Sequence, residues 1–72
     1  MVNTQLLEQK IADSGYKLGF IVSNIGISRQ AFNKKMKGIT SFRFSEIYVL
    51  RDLLKLSTEE EQAIFFADKV GS

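Results

Sequence analysis

Signals that begin and end α-helices divide this chain of 72 residues into five short segments. Residues able to cap a helix N-terminus precede apolar residues spaced three or four apart, and Gly15, Gly26 and Gly38 follow three of the segments. No segment shows sustained apolar-polar alternation with β-branched enrichment, and the chain contains no proline. The sequence therefore predicts an all-α fold, and a chain of this length has room for one domain with one core.

The first two predicted helices precede Gly26. Asn3 or Thr4 caps the first helix, in which Leu7 and Ile11 lie on one face. The second helix is predicted over about residues 17–24.

Three further helices follow Gly26. Ser28 caps the third, which is predicted over residues 29–37. The fourth carries apolar residues at helical spacing up to residue 54. The fifth opens at Ser57 with the S-x-x-E form of a capping box and continues to about residue 68. The helical residues predicted to face the core are Leu7, Ile11, Ile21, Ile25, Phe32, Met36, Ile47, Leu50, Leu53 and Leu54. The aromatic residues expected to join them are Phe20, Phe42 and Phe44.

Charge is distributed unevenly along the chain, although the net charge is only +2. Residues 14–45 carry six basic residues and no acid, whereas residues 1–13 carry one base and two acids. Residues 46–72 carry three bases and six acids. A basic middle between acidic ends predicts one face that attracts polyanions.

The second and third helices are joined by the short stretch Asn24-Ile25-Gly26-Ile27-Ser28. Its glycine supplies the positive φ of a sharp turn, and an isoleucine on each side holds the two helices to one core. This pattern is typical of a helix-turn-helix, in which the second helix of the pair enters the DNA major groove. A solvated helix face without any partner is the alternative interpretation of the basic third helix.

The sequence resembles the lambda-repressor-like, Cro-type (XRE) DNA-binding domains over roughly residues 6–70. The stretches that carry the resemblance are Gly15-Tyr16, Phe20-Ile21, Ile25-Gly26-Ile27-Ser28-Arg29, Phe32-Asn33-Lys34, Gly38, Ser45-Glu46-Ile47, Leu56-Ser57 and Phe65-Phe66. It resembles most the small proteins of temperate-phage genetic switches, which include a modulator-of-repression type. The resemblance implies a compact five-helix domain spanning residues 1–72, with its helix-turn-helix at about residues 17–37, in the cytoplasm of a bacterial host.

The resemblance also implies roles for the outward face of the third helix. The residues expected to read bases of double-stranded operator DNA are Ser28, Arg29, Gln30 and Asn33. Arginine can donate a bidentate pair to guanine, and glutamine or asparagine can do the same for adenine. The residues expected to contact phosphates are Lys34, Lys35, Lys37 and Arg43.

A second hypothesis is an antirepressor that binds the phage repressor directly through the same basic helix. Many relatives place a phosphate-binding glutamine where this chain has Leu18, which leaves an apolar second helix. Phe65 and Phe66 point about 100° apart on a helix, so that both can hardly be fully buried. The alternatives are one residue in the core with the other in a protein interface, or both in the core. The residues of this candidate interface, with the repressor or in a homodimer, are Leu18, Phe20, Phe65 and Phe66.

Several classes of function are excluded by composition. The chain has no cysteine and no histidine, and it lacks a nucleophile paired with a base or a glycine-rich phosphate loop. We therefore expect no enzyme, no metal and no cofactor. The longest apolar runs are far too short to span a bilayer, which predicts a soluble protein without a membrane partner.

Overall fold

The structure, a computed structural model, describes residues 2–66, and within that range it contains five α-helices and no strand. The helices are α1 (Thr4–Ser14), α2 (Leu18–Ile25), α3 (Arg29–Met36), α4 (Phe44–Leu54) and α5 (Thr58–Phe65). The predicted all-α class is thereby confirmed. The boundaries of α2 and α3 lie within one residue of the prediction, whereas the predicted end of the fifth helix at residue 68 lies outside the described residues.

Three predicted caps are present at helix N-termini. The side-chain oxygens of Asn3 and Ser28 accept backbone N–H groups three residues further on, at 3.2 and 3.1 Å. Ser57 and Glu60 form the predicted capping box, in which each side chain accepts the backbone N–H of the other, at 3.1 and 2.9 Å. The helix starts are therefore encoded locally, because each cap satisfies backbone N–H groups that have no partner within the helix.

The core lies where α1 and α2 pack against α4 and where α5 packs against α1. Its buried apolar side chains are Leu7, Ile21, Ile47, Leu50, Leu56, Ile64 and Phe65. Phe42 adds its ring at the edge of this cluster, edge-to-face with Phe32 and Phe65 at centroid distances of 6.0 and 5.5 Å. The N-terminus is tied to α5 by the backbone N–H of Asn3, which donates to the carbonyl of Ile64 at 2.7 Å.

Two of the aromatic residues predicted to lie in the core are exposed instead. Phe20 is 49% exposed because it directly precedes buried Ile21, and successive residues of a helix point about 100° apart. Phe44 is 69% exposed because it is the first residue of α4 and lies at the edge of the core, where its ring stacks on Phe66. The prediction for these two residues was wrong, whereas that for Phe42 is confirmed.

None of the helices between residues 2 and 66 has the length and apolar character needed to cross a bilayer.

Candidate nucleic-acid interface

A tight turn joins α2 to α3. Gly26 follows α2 with a φ of +86°, and its backbone N–H donates to the carbonyl of Val22 at 2.9 Å. The N–H of Ile27 donates to the same carbonyl at 3.1 Å. A Cβ atom added at Gly26 would meet nothing within 4 Å, so that the backbone conformation alone calls for glycine. The predicted role of this glycine as the turn residue is confirmed.

α3 has one face in the protein and one in solvent. Phe32 is buried and Met36 is half-buried against the core cluster, which holds the helix down as predicted. All four residues expected to read bases are exposed along the start and outer side of α3, namely Ser28, Arg29, Gln30 and Asn33. The structure thus brings this expected set together on one accessible stretch.

We call residues 14–45 the acid-free segment, and five of its basic side chains are exposed: Lys17, Arg29, Lys34, Lys37 and Arg43. Within residues 2–66, none of them forms an ion pair with an acidic side chain. We call these five residues the exposed cations. Their positive charge is not neutralised locally, which is the electrostatic property that a phosphate backbone requires.

Lys35 does not belong to this set, and its expected role as a phosphate contact is not compatible with its position. The residue is only 9% exposed, and its Nζ lies 2.9 Å from Oε1 of Glu46. The same ammonium donates to the carbonyl of Ser41 at 2.9 Å and lies 5.9 Å from the centroid of the Phe42 ring. Its charge is therefore used inside the protein.

Glu46 occupies the third position of α4, and its Oε1 also accepts the backbone N–H of Arg43 at 2.8 Å. Burial raises the pKa of this carboxyl, but the hydrogen bonds from Arg43 and Lys35 outweigh it and hold the pKa below its ordinary value of 4.5. Arg43 has no acceptor atom in its side chain, so that only the Glu46 half of a reciprocal capping box can form here.

The guanidinium of Arg29 lies across Gly19 of α2. A Cβ atom added at Gly19 would stand 3.0 Å from Nη2 of Arg29. The absence of a side chain at Gly19 thus leaves room for the end of the Arg29 side chain. The sequence carried a signal for this contact, because a glycine inside a helix is unfavourable and often marks a close approach.

The four residues of the candidate protein interface differ in exposure. Phe20 is exposed and its ring lies 4.9 Å from that of Tyr16, while Leu18 is half-buried. Phe65 is buried in the core and offers no ring to a partner, whereas Phe66 is half-buried. The expectation that the two adjacent phenylalanines are not both fully buried is confirmed.

The exposure of two aromatic residues of α4 was not predicted. Phe44 was assigned to the core, and Tyr48 was not singled out, although half of its surface is exposed. The Arg51 guanidinium lies over the Tyr48 ring, 5.0 Å from its centroid. Their spacing of four places both on one side of α4, a pattern that could have indicated an exposed aromatic face.

Comparisons with protein-family models, with curated proteins and with solved structures found no match to this chain. In the part of the chain that the structure describes, no three acidic side chains converge to hold a metal ion. The function of the protein has therefore to be inferred from its own residues, above all from the exposed face of α3.

Proposed function

We propose that this protein is a transcriptional regulator that binds double-stranded operator DNA, with α3 as the recognition helix of a helix-turn-helix in a lambda-repressor-like domain. The observation that carries the proposal is the exposed face of α3, which presents basic and amide side chains directly after a tight glycine turn. The resemblance to phage Cro-type proteins further supports a role in a lysis-lysogeny switch.

Base reading is supported by the chemistry at the start of α3. Arg29 can donate two hydrogen bonds to guanine O6 and N7, and Gln30 or Asn33 can form the corresponding pair with adenine N6 and N7. The Oγ of Ser28 already accepts the N–H of Ala31 at 3.1 Å, which leaves its hydroxyl hydrogen free to donate to a base or phosphate.

Phosphate binding is supported by the remaining exposed cations. Lys34 and Lys37 lie at the end of α3, Arg43 precedes α4, and Lys17 precedes α2. Contacts of this kind fix the protein on the duplex without reading sequence. Lys35 is buried and Arg29 is assigned to bases. The other four exposed cations can therefore make up to four phosphate contacts for each chain.

A titration of labelled duplex DNA tests the proposal. The probe is the duplex upstream of the gene for this protein, and the matched control is a duplex of the same composition in scrambled order. We expect tighter binding to the first duplex and weaker binding to both as salt rises. Equal affinity for the two duplexes at every salt concentration would contradict a role in operator recognition.

The exposed pair of Tyr16 and Phe20 favours a second candidate function, that of an antirepressor acting by protein contact. Tyr16 and Phe20 are 40% and 49% exposed, and their ring centroids lie 4.9 Å apart. Exposed aromatic residues are enriched in protein interfaces.

Co-purification with a repressor encoded beside the gene tests this candidate. We expect Phe20→Ser to abolish association, whereas Tyr48→Ser, a change at an exposed aromatic residue of α4, preserves it. The absence of any complex with wild-type protein, with or without DNA, excludes the antirepressor role.

A further inference from the structure

We propose that Lys35 and Glu46 form a positioning pair, which fixes the residues between α3 and α4. Lys37 and Arg43 are thereby held at fixed positions relative to the exposed face of α3. The inference rests on the proposed DNA binding for its functional consequence. Lys35 belongs to α3, Glu46 belongs to α4, and their 2.9 Å ion pair directly joins the two helices.

The pair also holds the second half of the connection between these helices. Lys35 donates to the carbonyl of Ser41, and the N–H of Arg43 donates to the same Glu46 oxygen that accepts Lys35. Two points of the connection, at residues 41 and 43, are therefore fastened to one buried ion pair.

The first half of the connection is fastened by backbone hydrogen bonds to the end of α3. The N–H groups of Gly38 and Ile39 donate to the carbonyls of Lys35 and Lys34, at 3.2 and 2.9 Å. Lys37 directly follows α3 and precedes the residues that make these hydrogen bonds, and Arg43 is the last residue of the connection before α4. Both cations thus have backbones whose positions relative to α3 are set by several hydrogen bonds.

The composition of the pair favours positioning over simple stabilisation. A buried ion pair must offset the desolvation of both charges, and well-packed apolar residues often stabilise such a site as well or better. What two apolar side chains cannot do is bind the Ser41 carbonyl and the Arg43 N–H together. The directional contacts of the pair are the property that an apolar substitute would lack.

Glu46→Gln is the decisive variant because positioning and bulk electrostatics predict opposite results for it. Glutamine retains the shape of the side chain and an oxygen for the Arg43 N–H, but it removes the ion pair. The variant loses a negative charge, which by electrostatics alone strengthens DNA binding. We expect it to bind the upstream duplex several-fold more weakly than wild type. The matched control is Glu59→Gln, an exposed acid of α5, which we expect to bind as tightly as wild type or more tightly.

Affinity measured by fluorescence anisotropy at one fixed salt concentration separates these outcomes. Weaker binding by Glu46→Gln with normal binding by Glu59→Gln supports the positioning pair. Equal or tighter binding by Glu46→Gln overturns its role in placing the phosphate contacts.

Amide hydrogen exchange tests the same pair in the absence of DNA. We expect Lys35→Met to speed exchange of the Arg43 amide relative to the core amide of Leu50, while Lys37→Met leaves this ratio unchanged. If Lys35→Met does not fold, the double variant Lys35→Met/Glu46→Met provides the same comparison, because it removes the ion pair and the acceptor of the Arg43 N–H without leaving a buried charge. An unchanged ratio overturns the structural part of the proposal. If wild-type protein binds no duplex, the proposed function fails while the exchange experiment still decides whether the pair fastens the connection.

Discussion

The ammonium nitrogen of Lys35 lies 2.9 Å from a carboxylate oxygen of Glu46, and the two residues are only 9% and 7% exposed. This contact divides the basic residues of the acid-free segment into two groups. One cation is used inside the protein to join α3 to α4, while the exposed cations remain available to a negatively charged partner.

The pair makes stability depend on pH in the acid range. The pKa of Glu46 is below its ordinary value of 4.5 in the folded protein, so the unfolded chain binds a proton more readily. The stabilisation is therefore complete above that ordinary value and is lost as the pH falls through the lower, folded pKa. We expect the free energy of unfolding from urea titrations to fall as the pH drops below 4.5, with a smaller fall in Glu46→Gln.

Glu60 adds to the same acid dependence and needs its own control. A side-chain hydrogen bond from Lys10 and the backbone N–H of Ser57 hold the pKa of Glu60 below its ordinary value. The single variants Glu46→Gln and Glu60→Gln should each remove part of the acid dependence, and the double variant should remove more than either. A Glu46→Gln protein that retains the full acid dependence of wild type would show that this pair is not formed.

Much of the fold could be predicted because the helix boundaries depend on local chemistry. Asn3, Ser28 and Ser57 cap helices in the structure as their residue types indicate, and Gly15 and Gly26 follow helices with positive φ. The sequence alone does not determine whether a single aromatic side chain near a helix start points into the core or into solvent. Phe20 is as apolar as its buried neighbour, and only the packing of α2 decides which of the two enters the core.

The role of Lys35 was not predicted because it depends on a partner distant in the sequence. Phe32 and Met36 mark the buried stripe of α3, and residue 35 falls on the same stripe, three residues after Phe32. A cation at such a position calls for an acidic partner. Nothing in the local sequence identifies that partner as Glu46, which follows the intervening connection and belongs to another helix.

The two glycines Gly26 and Gly19 should respond in opposite ways to substitution by alanine. Gly26 has a φ of +86°, a conformation that costs an L-residue roughly 1–2 kcal/mol. Gly19 lies inside α2, where alanine is preferred by roughly 1 kcal/mol. In chemical denaturation we expect Gly26→Ala to lower the free energy of unfolding and Gly19→Ala to raise it by up to about 1 kcal/mol.

The Gly19→Ala variant also probes the contact with Arg29. Its new Cβ would meet the flexible end of the Arg29 side chain at 3.0 Å, which can move aside at little cost. A large loss of stability in Gly19→Ala would contradict this assignment, because it would mean that the guanidinium is fixed. A neutral Gly26→Ala would show that the turn does not require positive φ.

Ser28 should contribute to stability as the cap of α3, independently of any DNA. Replacement by alanine removes the acceptor for the Ala31 N–H and should lower the free energy of unfolding by about 1 kcal/mol. Ser23, an exposed residue within α2, is the matched control, because alanine there favours the helix. Thermal unfolding that gives the same midpoint for Ser28→Ala and wild type would argue against the cap.

Lys37 and Arg29 should affect DNA binding in different ways. We expect Lys37→Gln to weaken binding to all duplexes alike and to reduce the slope of log affinity against log salt by about 0.9, the effect of one phosphate contact. Arg29→Gln should instead reduce the difference in affinity between the upstream duplex and the scrambled duplex. Lys55→Gln, an exposed lysine outside the acid-free segment, is the control and should leave both quantities unchanged. If Lys37→Gln and Lys55→Gln change the affinity and the salt dependence equally, the DNA does not bind to α3.

The salt dependence of wild-type DNA binding tests the central claim most directly. With three to four phosphate contacts for each chain, log affinity for the upstream duplex should fall with log salt at a slope of about −3 to −4 per bound chain. The upstream duplex should remain preferred over the scrambled one throughout the titration. Absence of salt-sensitive binding to either duplex at micromolar protein would contradict the proposal that the exposed face of α3 binds DNA.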